Sequence, residues 1–305
     1  MEKRFIGDED MKSLIVNIFR GFCMALADSV PGVSGGTVAF ILGFYDKFIN
    51  SLNDLFSKGG DKKGAIRFLI KLGIGWISGM ALATLILSKV FESQIYVVSS
   101  LFVGFILFAI PLIIKDDLKL LRGNYKHLIF TLIGILVVSL LTYFNQKGIA
   151  SLDISVSSLN FGLCIYTFVA GMVAISAMVL PGISGSTLLL IFGLYLPIIN
   201  GIKEILHLNF EFVPILFIFG LGVIAGIFLV IRLVKKALEK YRSQTIYTII
   251  GLMLGSIYAI FMGPTSLSTP KSPLSFGTFS IIAFIIGGVI VLLMEYVKNK
   301  LGNEE

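Results

Sequence analysis

Apolar residues fill this chain in long blocks, without the strict alternation of a half-buried strand. Ten blocks stand out: roughly 13–30, 37–52, 66–90, 95–114 and 128–145, then 160–180, 187–203, 210–233, 245–262 and 277–297. A helix needs about 20 apolar residues to cross a bilayer, and the last three blocks of each set of five meet that length. The second block of each set is shorter, at roughly three or four helical turns. A membrane β-barrel would show alternating segments of about ten residues instead. Polar residues fall mainly between the blocks, with one kind of exception. At 31–37 the chain reads PGVSGGT and at 181–187 PGISGST, both inside apolar surroundings.

Those two stretches anchor an internal repeat. A shift of 150 positions lays Pro31, Gly32, Ser34, Gly35, Thr37, Gly43, Tyr45 and Asn50 on Pro181, Gly182, Ser184, Gly185, Thr187, Gly193, Tyr195 and Asn200. A shift of 147 lays LGIGWISG at 72–79 on FGLGVIAG at 219–226. The chain therefore reads as a duplication, with residues 1–150 as one repeat and 151–305 as the other. In each repeat a re-entrant or broken-helix hairpin precedes three transmembrane helices. If the hairpin arms stop short, each repeat crosses three times; if they span, five times. Both counts are odd, so the second repeat lies upside down relative to the first.

Charge fits that inversion. The expected topology puts the N-terminus, 46–71, 115–127, 232–242 and the C-terminus on one side, with 21 of the 25 Lys and Arg residues. Lys89, Lys147, Lys203 and Lys271 are left on the other. The positive-inside rule makes the crowded side, and both termini, cytoplasmic. Composition agrees: 14% of residues are charged, against about 25% in soluble domains, and mean hydropathy is +0.94. The net charge of +7 is spread over loops, so it points to topology and not to nucleic acid. Cys23 and Cys164 lie alone in apolar blocks and read as small core residues, with no metal site expected. Lys12 and the following SLIVNIFRGFCMALA resemble a signal-peptide core, but Arg20 interrupts it and the segment reads as part of the fold.

The paired motifs have the chemistry of a broken helix. Proline pushes the preceding residue out of helical geometry, glycine lets the backbone turn and approach a ligand, and Ser34 or Thr37, with Ser184 or Thr187, can cap the arm that follows. A capped N-terminus presents N–H groups and a positive dipole end, which favour a phosphate or carboxylate. Inverted-repeat transporters build substrate sites from such breaks. Gly73, Gly75, Gly79 and their partners Gly220, Gly222 and Gly226 are assigned to helix packing instead. GVSGG also matches a nucleophile-elbow pattern, but the second copy, GISGS, breaks it, and His127 and His207 lie at loop ends, so a serine hydrolase is disfavoured. Asp28 has no acidic counterpart at Met178 and is open to three readings: a coupling-cation ligand, a proton carrier or a helix cap. Arg20 either snorkels to the interface or attracts the anion. Glu295 reads as a surface partner of Lys298, and Tyr45 and Tyr195 as interface anchors or pocket walls.

ADSVPGVSGGTVAFILGFYDKFI followed by AMVLPGISGSTLLLIFGLY resembles the bacterial and archaeal polyprenyl-phosphate (undecaprenyl-phosphate) translocases of the PopT type, over essentially the whole chain. The resemblance implies an all-α polytopic membrane transporter that returns undecaprenyl phosphate from the outer to the inner leaflet of the bacterial plasma membrane, for envelope polymer synthesis. It implies a phosphate site at Pro31, Gly32, Ser34, Gly35, Gly36 and Thr37 with Pro181, Gly182, Ser184, Gly185, Ser186 and Thr187. Asp28 and Arg20 stay as coupling or electrostatic candidates, with a proton or sodium ion as the coupling partner and no cofactor. The alternative is an ion-coupled carrier of small anions or other solutes, using the same broken helices without a lateral opening to lipid.

Overall fold

The computed structural model describes residues 2–28, 34–83, 88–146, 160–206, 208–266 and 269–302. Among the described residues there are helices and turns and no strand. The first half supplies α1 (Glu2–Asp28), α2 (Gly35–Ile41), α3 (Tyr45–Phe56), α4 (Lys62–Leu82), α5 (Ser88–Asp116), α6 (Leu118–Leu121) and α7 (Leu128–Gln146). The second supplies α8 (Phe161–Val179), α9 (Gly185–Ile191), α10 (Tyr195–Leu206), α11 (Val213–Lys240), α12 (Arg242–Met262) and α13 (Ile281–Gly302). Six stretches among the described residues are long and apolar enough to span a membrane: 62–82, 93–116, 125–144, 161–179, 213–240 and 242–265. Rows of exposed apolar side chains run down their outer faces, as with Ile70, Ile74 and Ile77 on α4 and Leu132, Leu136 and Leu140 on α7. Water would not tolerate such continuous surface, and lipid matches it.

Two blocks depart from expectation. Residues 37–52 and 187–203 are each two helices, not one arm. Gly43 and Gly193 adopt φ of 69° and 66°. Gly43 N–H donates to Phe40 O and Phe44 N–H to Ala39 O, while Gly193 and Leu194 bond Leu190 O and Leu189 O in the same way. Two bonds closing a helix end around a left-handed residue form a Schellman stop, where glycine costs least. The signal lay in the GFY and GLY triplets. α1 also starts well before position 13.

Helices pair through glycines. A Cβ on Gly75 or Gly21 would run into the backbone carbonyl of Ile18 or Leu72, and one on Gly79 would come within 2.7 Å of Phe22 O, so α1 and α4 touch backbone to backbone. α8 and α11 reproduce this: Gly222 against Phe168 O, Gly226 against Met172 O, and Gly171 at 2.7 Å from Phe219 O. Under the two shifts found in the sequence, every one of these contacts falls on its twin. The other pairs join the halves. Gly104 of α5 abuts Phe284 O of α13 and Gly287 abuts Leu101 O; Gly251 of α12 abuts Thr131 O of α7 and Gly134 lies 2.7 Å from Thr248 O. Small residues permit this approach where no hydrophobic drive separates helix from lipid. Gly73 and Gly220 differ from expectation, since nothing lies within 4 Å of a Cβ on either. They sit on the open face of their helices and not in the seam.

The contact register advances in step along both members of each pair, so paired helices run parallel. α5 and its counterpart α12 run oppositely. Arg242 at the start of α12 donates from Nε to Asp117 Oδ1 (2.9 Å) just past the end of α5. Near the start of α5, Tyr96 OH donates to Ser272 O (3.1 Å) and Ser100 Oγ accepts from Ser280 N–H (2.9 Å), both beyond the end of α12. α4 leads into α5 and α11 into α12, so α4 with α1 also opposes α11 with α8. This agrees with an inverted duplication. The expected boundary between residues 150 and 151 lies outside the described residues.

The loops expected on the cytoplasmic side gather at one end. Arg242 Nη1 donates to Asp46 Oδ2 at 3.1 Å, in addition to its fork on Asp117, and His127 Nδ1 lies 2.9 Å from Ser243 Oγ. Glu295, expected at the surface beside Lys298, lines a cavity of about 140 Å³ with Asp46, Asp116, Asp117 and Arg242. The side chain of Lys298 lies outside the described residues.

Candidate functional site

The first motif begins where α1 stops. Ser34 is the N-cap of α2, with extended backbone, and its Oγ accepts from Gly36 N–H at 3.1 Å. Asp28 Oδ1 accepts from Gly35 N–H at 2.6 Å, and its Oδ2 accepts from Trp76 Nε1–H of α4 at 3.0 Å. Of the three readings of Asp28, the geometry matches the cap: a carboxylate at the positive end of a short helix, itself held by an indole. Met178 and Val223 stand at the matching positions of the second half, so the polar pair is replaced by an apolar pair. Met178 packs against Gly185 as Asp28 does against Gly35.

The cap can be tested directly. Asp28→Ala leaves a buried N–H and an indole donor without acceptors and is expected to destabilise by about 2 kcal/mol, whereas Trp76→Phe removes one bond for about 1 kcal/mol. Thermal unfolding in detergent separates the two; equal midpoints for Asp28→Ala and wild type would show that the carboxylate does not hold the helix end.

The two motifs meet. Ser34 Oγ donates to Leu180 O at 3.1 Å, Thr37 Oγ1 accepts from Gly182 N–H at 2.9 Å, and Tyr45 OH donates to Val179 O at 3.1 Å. Ser34, Thr37 and Tyr45 are all essentially buried, so each bond replaces water that cannot reach it. A Cβ on Gly36 would lie 2.9 Å from Val179 O, and one on Gly182 2.6 Å from Leu252 C and O. Gly182 also has a φ of 85°. α1 and α8 reach this junction from opposite ends, and α2 and α9 turn back beside them: Tyr166 of α8 bonds Phe192 O after α9, and Arg20 of α1 lies over the Phe44 ring after α2.

The remaining expected residues fall around the junction. Pro181 is buried in the turn, Ser184 takes the N-cap position of α9, Gly185 opens that helix, and Thr187 is half-buried in its first turn. Pro31, Gly32 and the side chain of Ser186 lie outside the described residues. Arg20 points back along α1, donating to Asn17 Oδ1 at 3.1 Å with its guanidinium 5.0 Å from the Phe44 ring centre. The hydroxyl of Ser34 is committed to two backbone partners and His127 is bonded to Ser243, so the hydrolase geometry is not formed by these residues; His207 lies outside the described residues.

Sequence reasoning missed the space next to the junction. A cavity of about 580 Å³ opens between α11 and α12, walled by Val230, Leu233, Val234, Ile249 and Leu252 and closed towards the motifs by Leu180 and Tyr45. Its lining is almost wholly apolar. Thr245 and Thr248 on its α12 wall spend their hydroxyls on Tyr241 O and Gln244 O of their own helix. Only the tertiary arrangement brings these residues, from 45 to 252, around one space.

A model of the family described as undecaprenyl phosphate translocase-like matches residues 24–276. The Polyprenyl-phosphate transporter of Staphylococcus aureus is 36% identical over 92% of this chain and 95% of its own. The Polyprenyl-phosphate transporter of Vibrio cholerae is 29% identical over 82% of this chain and 78% of its own. No solved structure gives a significant match. Both relatives carry transporter names and neither an enzyme's. With a match that takes in both motifs and the cavity walls, the chain belongs to the undecaprenyl phosphate translocase-like family.

Proposed function

We propose that this protein carries a polyprenyl phosphate, undecaprenyl phosphate in the first place, from the outer to the cytoplasmic leaflet of the bacterial plasma membrane. The observation that carries the reading is the junction itself: two hairpin tips from opposite ends, hydrogen-bonded to each other, beside an apolar cavity. Ser34 Oγ, Thr37 Oγ1 and Gly182 N–H are bonded across the junction, and these are the groups that exchange their partners for phosphate oxygens when the tips part. Asp28 already occupies the end of α2, so the headgroup lies on the side of Ser34, Thr37, Gly182, Ser184 and Thr187. The tail takes the cavity between α11 and α12. A small-solute carrier would need a water-lined space, and the apolar lining supports the lipid instead. The Lys- and Arg-rich end, with both termini, is assigned to the cytoplasm. A proton or sodium ion remains the proposed coupling partner.

Purified protein in vesicles carrying undecaprenyl phosphate in one leaflet tests this. Wild type is expected to equilibrate the lipid, and Ser34→Ala with Thr37→Val, which removes both hydroxyls from the junction, to slow it by about tenfold or more. Empty-vesicle rates for the wild type, or wild-type rates for the double variant, would refute transport or the motif assignment respectively.

A further inference from the structure

We infer that the protein holds only the part of the isoprenoid tail next to the phosphate, so that tail length beyond this part does not select the substrate. The inference rests on the reading above and deepens it. Cavities of about 300–1,000 Å³ take a drug-sized ligand, so the 580 Å³ here accommodates on the order of four or five isoprenoid units, far fewer than an undecaprenyl chain carries. Its inner end is fixed by chemistry. Leu180 lines the cavity while its carbonyl accepts from the Ser34 hydroxyl, and Tyr45 lines it while its hydroxyl donates to Val179 O. The stretch of tail that enters is therefore the one attached to a headgroup at the junction.

The outer end is open: Leu233, in the α11 wall, is 57% exposed, so the wall continues onto the outer surface of α11 at the edge of its apolar stretch. In this reading that surface meets lipid. Beyond that point a tail moves from bilayer to bilayer. Lipid chains are as apolar as leucine, so further units gain nothing from touching the protein. The occupant is thus a branched isoprenoid segment bearing a monophosphate, with an ordinary acyl chain as the competing source.

The test is competition for undecaprenyl phosphate transport by purified, full-length protein in vesicles, at equal mole fractions in the membrane. A polyprenyl monophosphate of about four units is expected to compete within about threefold of the full-length lipid, and a single-unit monophosphate about tenfold worse. Ala237→Trp, which fills the cavity from α11, is expected to slow both long and short substrates by about tenfold with an unchanged unfolding midpoint. Thr248→Trp fills it from α12 and serves if the first variant does not fold. Competition that keeps strengthening up to full length overturns the inference. So does phosphatidic acid competing as well as the four-unit compound, or wild-type transport in the tryptophan variants. Wild-type protein that moves no undecaprenyl phosphate would instead remove the underlying transport reading.

Discussion

Gly182→Ala is expected to slow lipid movement by more than about tenfold and to lower the unfolding midpoint, although it adds one methyl group. Two costs coincide at this position. At a φ of 85° an alanine sits in the left-handed region, at roughly 1–2 kcal/mol. Its Cβ would also lie 2.6 Å from the backbone of Leu252, which is buried on α12 and has no flexible end to move. The peptide must shift, and with it the N–H that Thr37 accepts. Gly123 supplies the control: its φ is 91° but a Cβ there meets open space, so Gly123→Ala carries the backbone cost alone and leaves transport intact. Transport rates and detergent melts of both variants decide it. A Gly182→Ala protein moving lipid at the wild-type rate would mean that the crossing does not need its present geometry.

The second large effect separates two glycines two residues apart. Gly75→Ala is expected to destabilise by about 3 kcal/mol or more, because its methyl group would collide with Ile18 O and force α1 and α4 apart along their whole seam. Gly73→Ala is expected to be neutral or to stabilise by up to about 1 kcal/mol, since nothing lies within 4 Å of the new carbon and alanine restricts the unfolded chain. The sign of the difference matters more than its size. Melting both variants in the same detergent reads it directly, and a Gly75→Ala protein as stable as Gly73→Ala would show that the two helices are not in backbone contact. Gly222→Ala and Gly220→Ala repeat the contrast in the other half.

Much of this was legible in the residues. Block lengths dictated membrane helices, because a backbone in lipid has to satisfy its own hydrogen bonds. The matched Pro–Gly–Ser stretches pointed to a duplication and odd counting to its inversion, with which the opposed helices agree. A hydroxyl cap at Ser34 or Thr37 was legible from position, and the structure assigns it to Ser34. Local sequence also held what was overlooked: the Schellman stops at Gly43 and Gly193 need only a few neighbouring residues to form.

Other features were decided only in three dimensions. Ser34 finds Leu180 and Thr37 finds Gly182 across about 145 positions of chain, a distance at which no periodicity carries information. Asp28 caps Gly35 locally but finds its second partner in Trp76, whose reach depends on how closely Gly75 and Gly79 let α4 approach α1. Gly73 and Gly75 look alike in the sequence and face opposite surroundings, since helix rotation is set by the partner and not by the residue itself. The cavity has no sequence signature, for it is lined by ordinary apolar residues whose common neighbourhood is a product of packing. Sequence fixes which groups can bond locally and which surfaces avoid water; tertiary structure decides which distant groups meet, because that depends on the summed approach of whole helices.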